Sequence, residues 1–437
     1  MRHAIAATLA LLGLLFVIGR LDREPDDGRT VLEFWSYGTG GATNPTGVFW
    51  ENVAQRFMEQ HPGVRIKVVA DIPHNPYLSV LTTRFIGGNP PDVMIMDDWF
   101  MGPLAREGLL LPLEEFIQND PGYHAGDFPP SMVRDGYMGG VRYGIPWYGG
   151  FGCIFYRTDL FAEAGVEPPR TWTELLEVCH TLQDRTGLEY PFAFNPRAGF
   201  WIMPWVWQNG ATVMTPDCRT VTTDTPEFVE ALEFVHDLMH KHRVMDPAVA
   251  LGAKLPDLWS TGAVALMIDG SWNIGRMDEL YPQWTGRWAV APLPSGKQTV
   301  GFFGGQHLIV SRQSPHPELA WAFLSFATSA ENQFLFAQTG GYPPGNLRVY
   351  EMPEFRQRHP HLMIVPEVMP YGRNNRFAPF YKKVWYELFQ SNVLDVVMAD
   401  PDADVRAAVR ETTSAMQAVA DDYWATHDYF LQGRPGP

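Results

Sequence analysis

Val31-Leu32-Glu33-Phe34-Trp35, Val64-Arg65-Ile66-Lys67-Val68-Val69 and Asp92-Val93-Met94-Ile95-Met96 are three short apolar or alternating runs within residues 31–96. Each has the pattern of a strand. Between the first two, Phe49, Val53 and Phe57 recur at helical spacing until His61-Pro62-Gly63 stops the helix. Between the second and third, Leu78–Phe85 reads as another helix, closed by Gly87-Gly88-Asn89-Pro90-Pro91. Strand–helix–strand–helix–strand predicts an open parallel α/β sheet. Ligands of such sheets sit beyond the carboxyl ends of the strands. The loops after Trp35, Val69 and Met96 therefore share one rim.

Outward from this stretch, a second α/β region begins near Arg142. Ile154–Tyr156, Val264–Ile268, Trp288–Ala291 and Gly301–Ser311 read as strands. Thr171-Trp172-Thr173-Glu174 reads as a capping box opening a helix. Pro226–His242, Pro317–Thr328 and Ala330–Gln338 read as helices, and the chain is helical from Phe377 onward. At 437 residues the chain exceeds one ordinary core and fits two domains. Lys+Arg 33 against Asp+Glu 49 leaves a net charge of −16, which argues against a nucleic-acid partner or an anionic membrane surface.

Arg2 and His3 precede an apolar run from Ala4 to Ile18, and Arg20 follows it. A membrane span takes about 20 apolar residues, so this run matches a signal-peptide core better. No small-x-small cleavage site follows Val17-Ile18-Gly19-Arg20, so an uncleaved anchor stands as the alternative. Cys153, Cys179 and Cys218 contain no CxxC pair. Small buried side chains are the favoured reading, one disulfide the other.

Fifteen tryptophans fall largely beside turn residues. Apolar runs followed by Gly-, Pro- and aromatic-rich loops recur at Phe34–Gly41, Met94–Gly102, Ile145–Gly152, Asn195–Gly210, Ile268–Asn273 and Gly301–Gln306. A loop tryptophan needs something flat to cover. The pattern predicts a cleft walled by aromatic faces, which suit the C–H faces of sugar rings. No GxSxG, P-loop, HExxH or post-strand GxGxxG occurs, so the chain reads as a binder and not an enzyme. His236, His240 and His242 share a helix without an acidic partner. Asp400-Pro401-Asp402-Ala403-Asp404 lacks the glycine and distal Glu of a calcium loop and reads as a helix cap. Neither a metal nor a cofactor is expected.

The segments, taken in order, resemble family 1 of the extracellular solute-binding proteins, the sugar-capturing subunits of ABC importers. Glu33-Phe34-Trp35-Ser36 resembles the family's opening strand. Pro91-Asp92-Val93, with Leu104 through Leu113, is similar to its next segment. Tyr156-Arg157-Thr158-Asp159-Leu160-Phe161, Gly165, Pro169 and Thr171-Trp172-Thr173-Glu174-Leu175 resemble its "YN.dlf...G...P.TW.El" stretch, with Arg157 where Asn is usual. Trp259, Gly262, Ala265, Met267 and Gly270-Ser271-Trp272 resemble "f..Gk.AM...GsW". Gly304-Gly305 through Leu324 resembles the strand and helix that follow. The lipobox cysteine of many members is missing, which puts a lipid anchor in doubt.

The resemblance implies a two-lobed, periplasmic-binding-protein-like α/β fold of type II, each lobe an open, mainly parallel sheet flanked by helices. Residues 1–29 would be a signal or anchor segment and linker. Lobe one would comprise 31–140 plus 301–342, and lobe two 141–300 plus 343–437. It also implies an exported, periplasmic or extracytoplasmic monomer that delivers a carbohydrate to ABC permease subunits. A sensory or scaffold protein of the same fold is the alternative, as is a polyol or glycerophosphodiester ligand.

Trp272 matches the family's ring-stacking aromatic. Asp97, Asp98 and Trp99 close a strand, where a carboxylate can take sugar hydroxyls or cap the next turn. Trp147 or Tyr148, beside Gly149-Gly150 and just past a hinge at Tyr143–Pro146, is expected to touch the ligand, because glycines let the backbone approach it; a tight structural turn is the alternative. Asn195 and Trp201 lie in a loop-to-helix segment; Trp201 and Trp205 share a helical face, so one of them packs inward. Tyr37, Gly304, Gly305 and Gln306 are similar in position to the family's binding loops. Arg373 is expected either to bond hydroxyls, to pair with Asp97, or to lie on the surface.

Overall fold

A computed structural model describes residues 27–38, 45–374, 378 and 380–426, without the side chains of Asn75, Asp98 and Trp99. The apolar N-terminal run therefore lies outside the described residues. The first unit is β1 (Thr30–Gly38), α1 (Pro45–Gln60), β2 (Val64–Pro73), α2 (His74–Ile86), β3 (Val93–Asp97) and α3 (Asp98–Arg106). β1 pairs in parallel with both β2 and β3, as the opening runs predict. Phe49, Trp50, Val53 and Phe57 form one buried stripe of α1. Phe34 of β1 meets Trp50 with ring centroids 4.3 Å apart. Each such fully buried aromatic contributes roughly 1.5–3 kcal/mol relative to exposure.

β4 (Gly144–Arg157) then runs for 14 residues. Here the structure departs from the alternative of a tight turn at Trp147–Gly150, which is extended strand instead. Residues 144–151 pair antiparallel with the later strand Gly301–Val310, and 152–157 pair with the strands Leu266–Gly270 and Trp288–Ala291. One continuous strand thus serves both halves of the sheet. Pro146, which lacks an N–H, sits beside a bulge: Tyr148 pairs with Gln306 and Pro146 with His307, leaving Trp147 as the extra residue.

The second unit holds α4 (Trp172–Thr186), β5 (Phe192–Ala193), α5 (Gly199–Gln208), α6 (Pro226–His240), β6 (Leu266–Gly270) and β7 (Trp288–Ala291). Thr171 caps α4 by accepting from Glu174 N at 3.1 Å. The return arm differs from a closed capping box: the Glu174 carboxylate accepts from Arg170 N, not from Thr171 N. β8 (Gly301–Val310) crosses back antiparallel to β3, followed by α7 (Pro317–Ala327) and α8 (Ala330–Gly340). The short β9 (Gly372–Arg373), a π-helical stretch at Lys382–Leu394 and α9 (Val405–Thr426) complete the described chain. Asp404 caps α9 by accepting from Ala407 N at 2.9 Å, the role read from sequence.

The strands lie in the order β2-β1-β3-β8-β4-β6-β5, with β7 beside β4 and β9 beside β8. Helices flank this mixed sheet, and separate buried clusters underlie its two ends. The fold is two-lobed. A third segment joins the strand crossing: Gly149 N donates to Pro343 O at 3.3 Å and Gly345 N to Trp147 O at 3.1 Å.

Candidate functional site

A cavity of about 640 Å³ opens where the two lobes meet. Its walls come from the carboxyl ends of β1 and β3, the start of α2, the crossing strands β4 and β8, and the turn after β6. Tyr37, Asp97, Trp147, Tyr148, Trp272, Gly304 and Gly305 all line it, as do His74, Phe200, Asn273, Arg276, Phe302, Gln306, Phe336, Tyr342, Asn374 and Tyr386. The size falls within the range of small-molecule clefts, about 300–1,000 Å³.

Asp97 ends β3 and occupies the cap position of α3, yet its side chain makes no cap bond. The carboxylate instead accepts from the Tyr37 hydroxyl at 2.8 Å and meets His74 Nε2 at 2.7 Å. Tyr37 is buried, and burial together with the Asp97 charge raises its phenol well above the ordinary value. It therefore stays a donor to Asp97. Each carboxylate oxygen keeps a second acceptor site, available to a ligand hydroxyl.

Trp272 stands in the turn Ser271–Arg276 that follows β6. Its ring folds back over Gly270, where a Cβ would lie 2.1 Å from ring atoms. That is the spatial reason for glycine in Gly270-Ser271-Trp272. Ser271 Oγ ties the turn to β4 by accepting from Phe151 N at 3.0 Å. Trp272 packs beside Phe200 at 6.0 Å and Trp201 at 5.9 Å. Tyr148 offers a buried hydroxyl with no hydrogen-bond partner among the described residues. Burial and then Tyr342 raise its phenol well above the ordinary value; the smaller opposing effect of Ser271 reflects proximity without bonding geometry.

Asp269 anchors the same turn, accepting from Gly270 N at 2.7 Å and Asn273 Nδ2 at 2.8 Å. Burial, opposed by those two bonds, raises its carboxyl from 3.8 to about 6. The folded chain then holds a proton that the unfolded chain releases between about pH 4 and pH 6, so stability is lost as pH rises through that window. The contribution is of order 3 kcal/mol at most. Asp269→Asn, which keeps an acceptor for Gly270, is expected to flatten the pH dependence of the denaturation midpoint between pH 4 and 7. An unaltered profile would refute the assignment.

Other expected site residues fall elsewhere. Asn195 is exposed, and its Oδ1 accepts from Arg197 N at 3.1 Å, a local turn. Trp201 is 7% exposed and packs in the second core; its neighbour Phe200 faces the cavity. Arg373 lies over the Trp207 ring at 5.0 Å, while Asp97 is engaged by Tyr37 and His74. Asp98 and Trp99 have side chains outside the described residues. Trp147, only 1% exposed, packs chiefly against Trp50 and Phe336. His74 escaped the sequence reading although it opens the helix after β2, on the predicted rim. Phe336, Tyr342 and Tyr386 carry no local signal, because distant segments bring them in.

Cys153, Cys179 and Cys218 are free and buried. The rings of His236 and His240 meet the Asp400 and Met398 carbonyls. Among the described residues no group of three His, Cys, Asp or Glu is placed to hold a metal ion, and no helix is long and apolar enough to cross a membrane.

A family model, bacterial extracellular solute-binding protein, matches residues 41–334. The arabinooligosaccharide-binding protein of Halalkalibacterium halodurans is 27% identical over 349 residues, 76% of this chain and 75% of that protein. The fold superimposes on the sugar-binding protein MalE from Xanthomonas citri with a TM-score of 0.82 at 20% identity, covering 91% of this chain and 99% of that one. UgpB from Mycobacterium tuberculosis, in complex with glycerophosphocholine, gives 0.75 at 19% identity over 91% and 100%. At such identities these two structures speak for the fold alone.

Proposed function

The chain belongs to the bacterial extracellular solute-binding proteins, and from that membership we propose that it captures a saccharide in the interlobe cavity and delivers it to an ABC permease. The observation that carries the reading is the cavity wall. Trp272, Phe200, Phe302 and Tyr386 offer flat apolar faces beside an acceptor, Asp97, and an unpartnered hydroxyl, Tyr148. Flat faces take the C–H side of a sugar ring, and the polar groups take its hydroxyls. The names of relatives that bind arabinooligosaccharides or sugars point to the same ligand class.

We place lobe one at 31–140 plus 301–342 and lobe two at 141–300 plus 343–437. β4, β8 and the 343–345 segment would act together as the hinge. Sugar would bind one lobe first, and closure of the other would desolvate its polar contacts and strengthen them. The ligand shifts that equilibrium only by its differential affinity for the closed form. Residues 1–29 would direct export, and the protein would act as a monomer. Asp97 is the one carboxylate among the described lining residues, whereas glycoside hydrolysis uses a pair, and this supports capture without turnover.

A thermal-unfolding screen against oligosaccharides, monosaccharides, polyols and glycerophosphodiesters tests this. A ligand at a hundredfold excess over its dissociation constant adds about 2.7 kcal/mol, a visible rise in melting temperature. The expected result is a response to one saccharide class, with that saccharide recovered intact. A response confined to glycerophosphodiesters or polyols would keep the fold and discard the saccharide. Turnover would discard the binder.

A further inference from the structure

Arg276 lines the cavity at the end of the Trp272 turn. The chain carries 49 acidic residues against 33 basic ones, and several of its cations, such as Arg56, Arg84 and Arg157, hold an acidic partner. Arg276 has none among the described residues. Of the acids near it in sequence, Asp278 accepts from Trp288 Nε1 at 2.7 Å, Asp269 holds Gly270 and Asn273, and the exposed Glu279 forms no ion pair with it among the described residues. Across the cavity, Asp97 is engaged by Tyr37 and His74. The half-buried Arg276 therefore borders the cavity without an ion pair among the described residues, and it also borders a neighbouring pocket shared with Asp278 and Glu279.

Other donors stand in the same wall. The Gln306 carboxamide lines the cavity and has no side-chain partner among the described residues, and the Tyr148 hydroxyl is buried and unpartnered. A planar guanidinium fork matches a planar carboxylate with two parallel bonds, and such charge-assisted bonds are about twice as strong as neutral ones. On a hexose, oxidation of C6 to a carboxylate leaves both ring faces unchanged for the aromatic walls. It replaces one hydroxymethyl by a group that only a cation answers well. The overall charge of −16 gives an acidic ligand no long-range attraction, so selection must come from this local group.

Building on the saccharide reading, we propose that the ligand is acidic: a short oligosaccharide carrying a uronic acid, with its carboxylate held by Arg276. Asp97, at the opposite charge, then receives neutral hydroxyls from another part of the same ligand. One charge of each sign in the cavity fixes the direction in which the saccharide lies.

Calorimetry on the full chain with matched pairs tests this. α-1,4-Digalacturonate is compared with α-1,4-galactobiose, and glucuronosyl-β-1,4-glucose with cellobiose; glucose 6-phosphate and glycerophosphocholine form a phosphate arm. At least one acidic member should bind about tenfold or more tighter than its neutral partner, and the gap should shrink as salt rises. Arg276→Gln should collapse that preference to near unity and abolish its salt dependence, with the melting temperature of the unliganded protein little changed. Arg276→Lys, a point charge without the fork, should restore part of it. Neutral sugars binding as tightly as acidic ones would overturn the proposal and leave the saccharide reading intact. A preference for the phosphate compounds would overturn the carboxylate. Silence toward every saccharide would overturn both readings.

Discussion

Trp272→Ala is expected to weaken saccharide binding by about 2–3 kcal/mol, roughly 30- to 150-fold, the loss typical of removing a tryptophan anchor. The ring is held between its own Gly270 and the Phe200–Trp201 pair, so its free face is fixed before any ligand arrives. A prepositioned face loses little entropy on binding, which is why its removal should be felt in affinity. Trp272 also touches both main core clusters, so the unliganded protein should soften somewhat. Trp272→Phe separates the two effects: a smaller face remains, and affinity should fall by an intermediate amount. Calorimetry with the ligand found by the screen reads the difference. Equal affinities for the wild type and Trp272→Ala would remove Trp272 from the site.

That Trp272 was legible in the sequence has a local cause. A turn after a buried strand, with Gly270 clearing space for a ring two residues later, writes itself into consecutive residues. The same holds for Asp97 at the end of β3 and Tyr37 at the end of β1: strand polarity alone puts them on one rim. The parallel β1–β2–β3 sheet was readable for the same reason, because each element carries its own periodicity. What could not be read locally is what two distant segments do together. Trp147 to Gly150 look like a turn in isolation, and only pairing with β8 makes them an extended strand. Trp201 and Phe200 are adjacent residues of one helix, and which of them faces the cavity depends on where α5 lies against the second core. Asp97 shows the limit from the other side. Its position was foreseen, but its partners Tyr37 and His74 are 60 and 23 residues away and emerge only when three strand ends meet.

Gly305→Ala is expected to be among the most damaging single-methyl changes in the chain, because it strikes the crossing itself. Gly305 pairs with Gly149 where β8 passes β4. A Cβ there would lie 2.0 Å from the Tyr148 carbonyl oxygen and 2.5 Å from Met132 Cε. The methionine could swing aside, but the backbone oxygen cannot move without parting β4 from β8. Those strands are neighbours in the middle of the sheet, so relief at this point disturbs both of its halves. Overpacking a tight core costs about 1–3 kcal/mol, and a backbone obstacle puts this case at or above the upper end. Gly304→Ala is the control. Its Cβ would meet the Asn374 amide at 2.6 Å, the end of a side chain whose bond to Asp135 is long, 3.3 Å, and readily given up. Gly304→Ala should therefore cost about 1 kcal/mol or less, while shifting Asn374 in the cavity wall enough to alter affinity. Denaturant midpoints of the two variants give the test. Equal midpoints, or a Gly305→Ala protein as stable as the wild type, would mean that β4 and β8 can part freely and that their tight pairing is not what joins the lobes. The expected order, with Gly305→Ala far below Gly304→Ala, ties the glycine pair to the crossing and not to ligand contact alone.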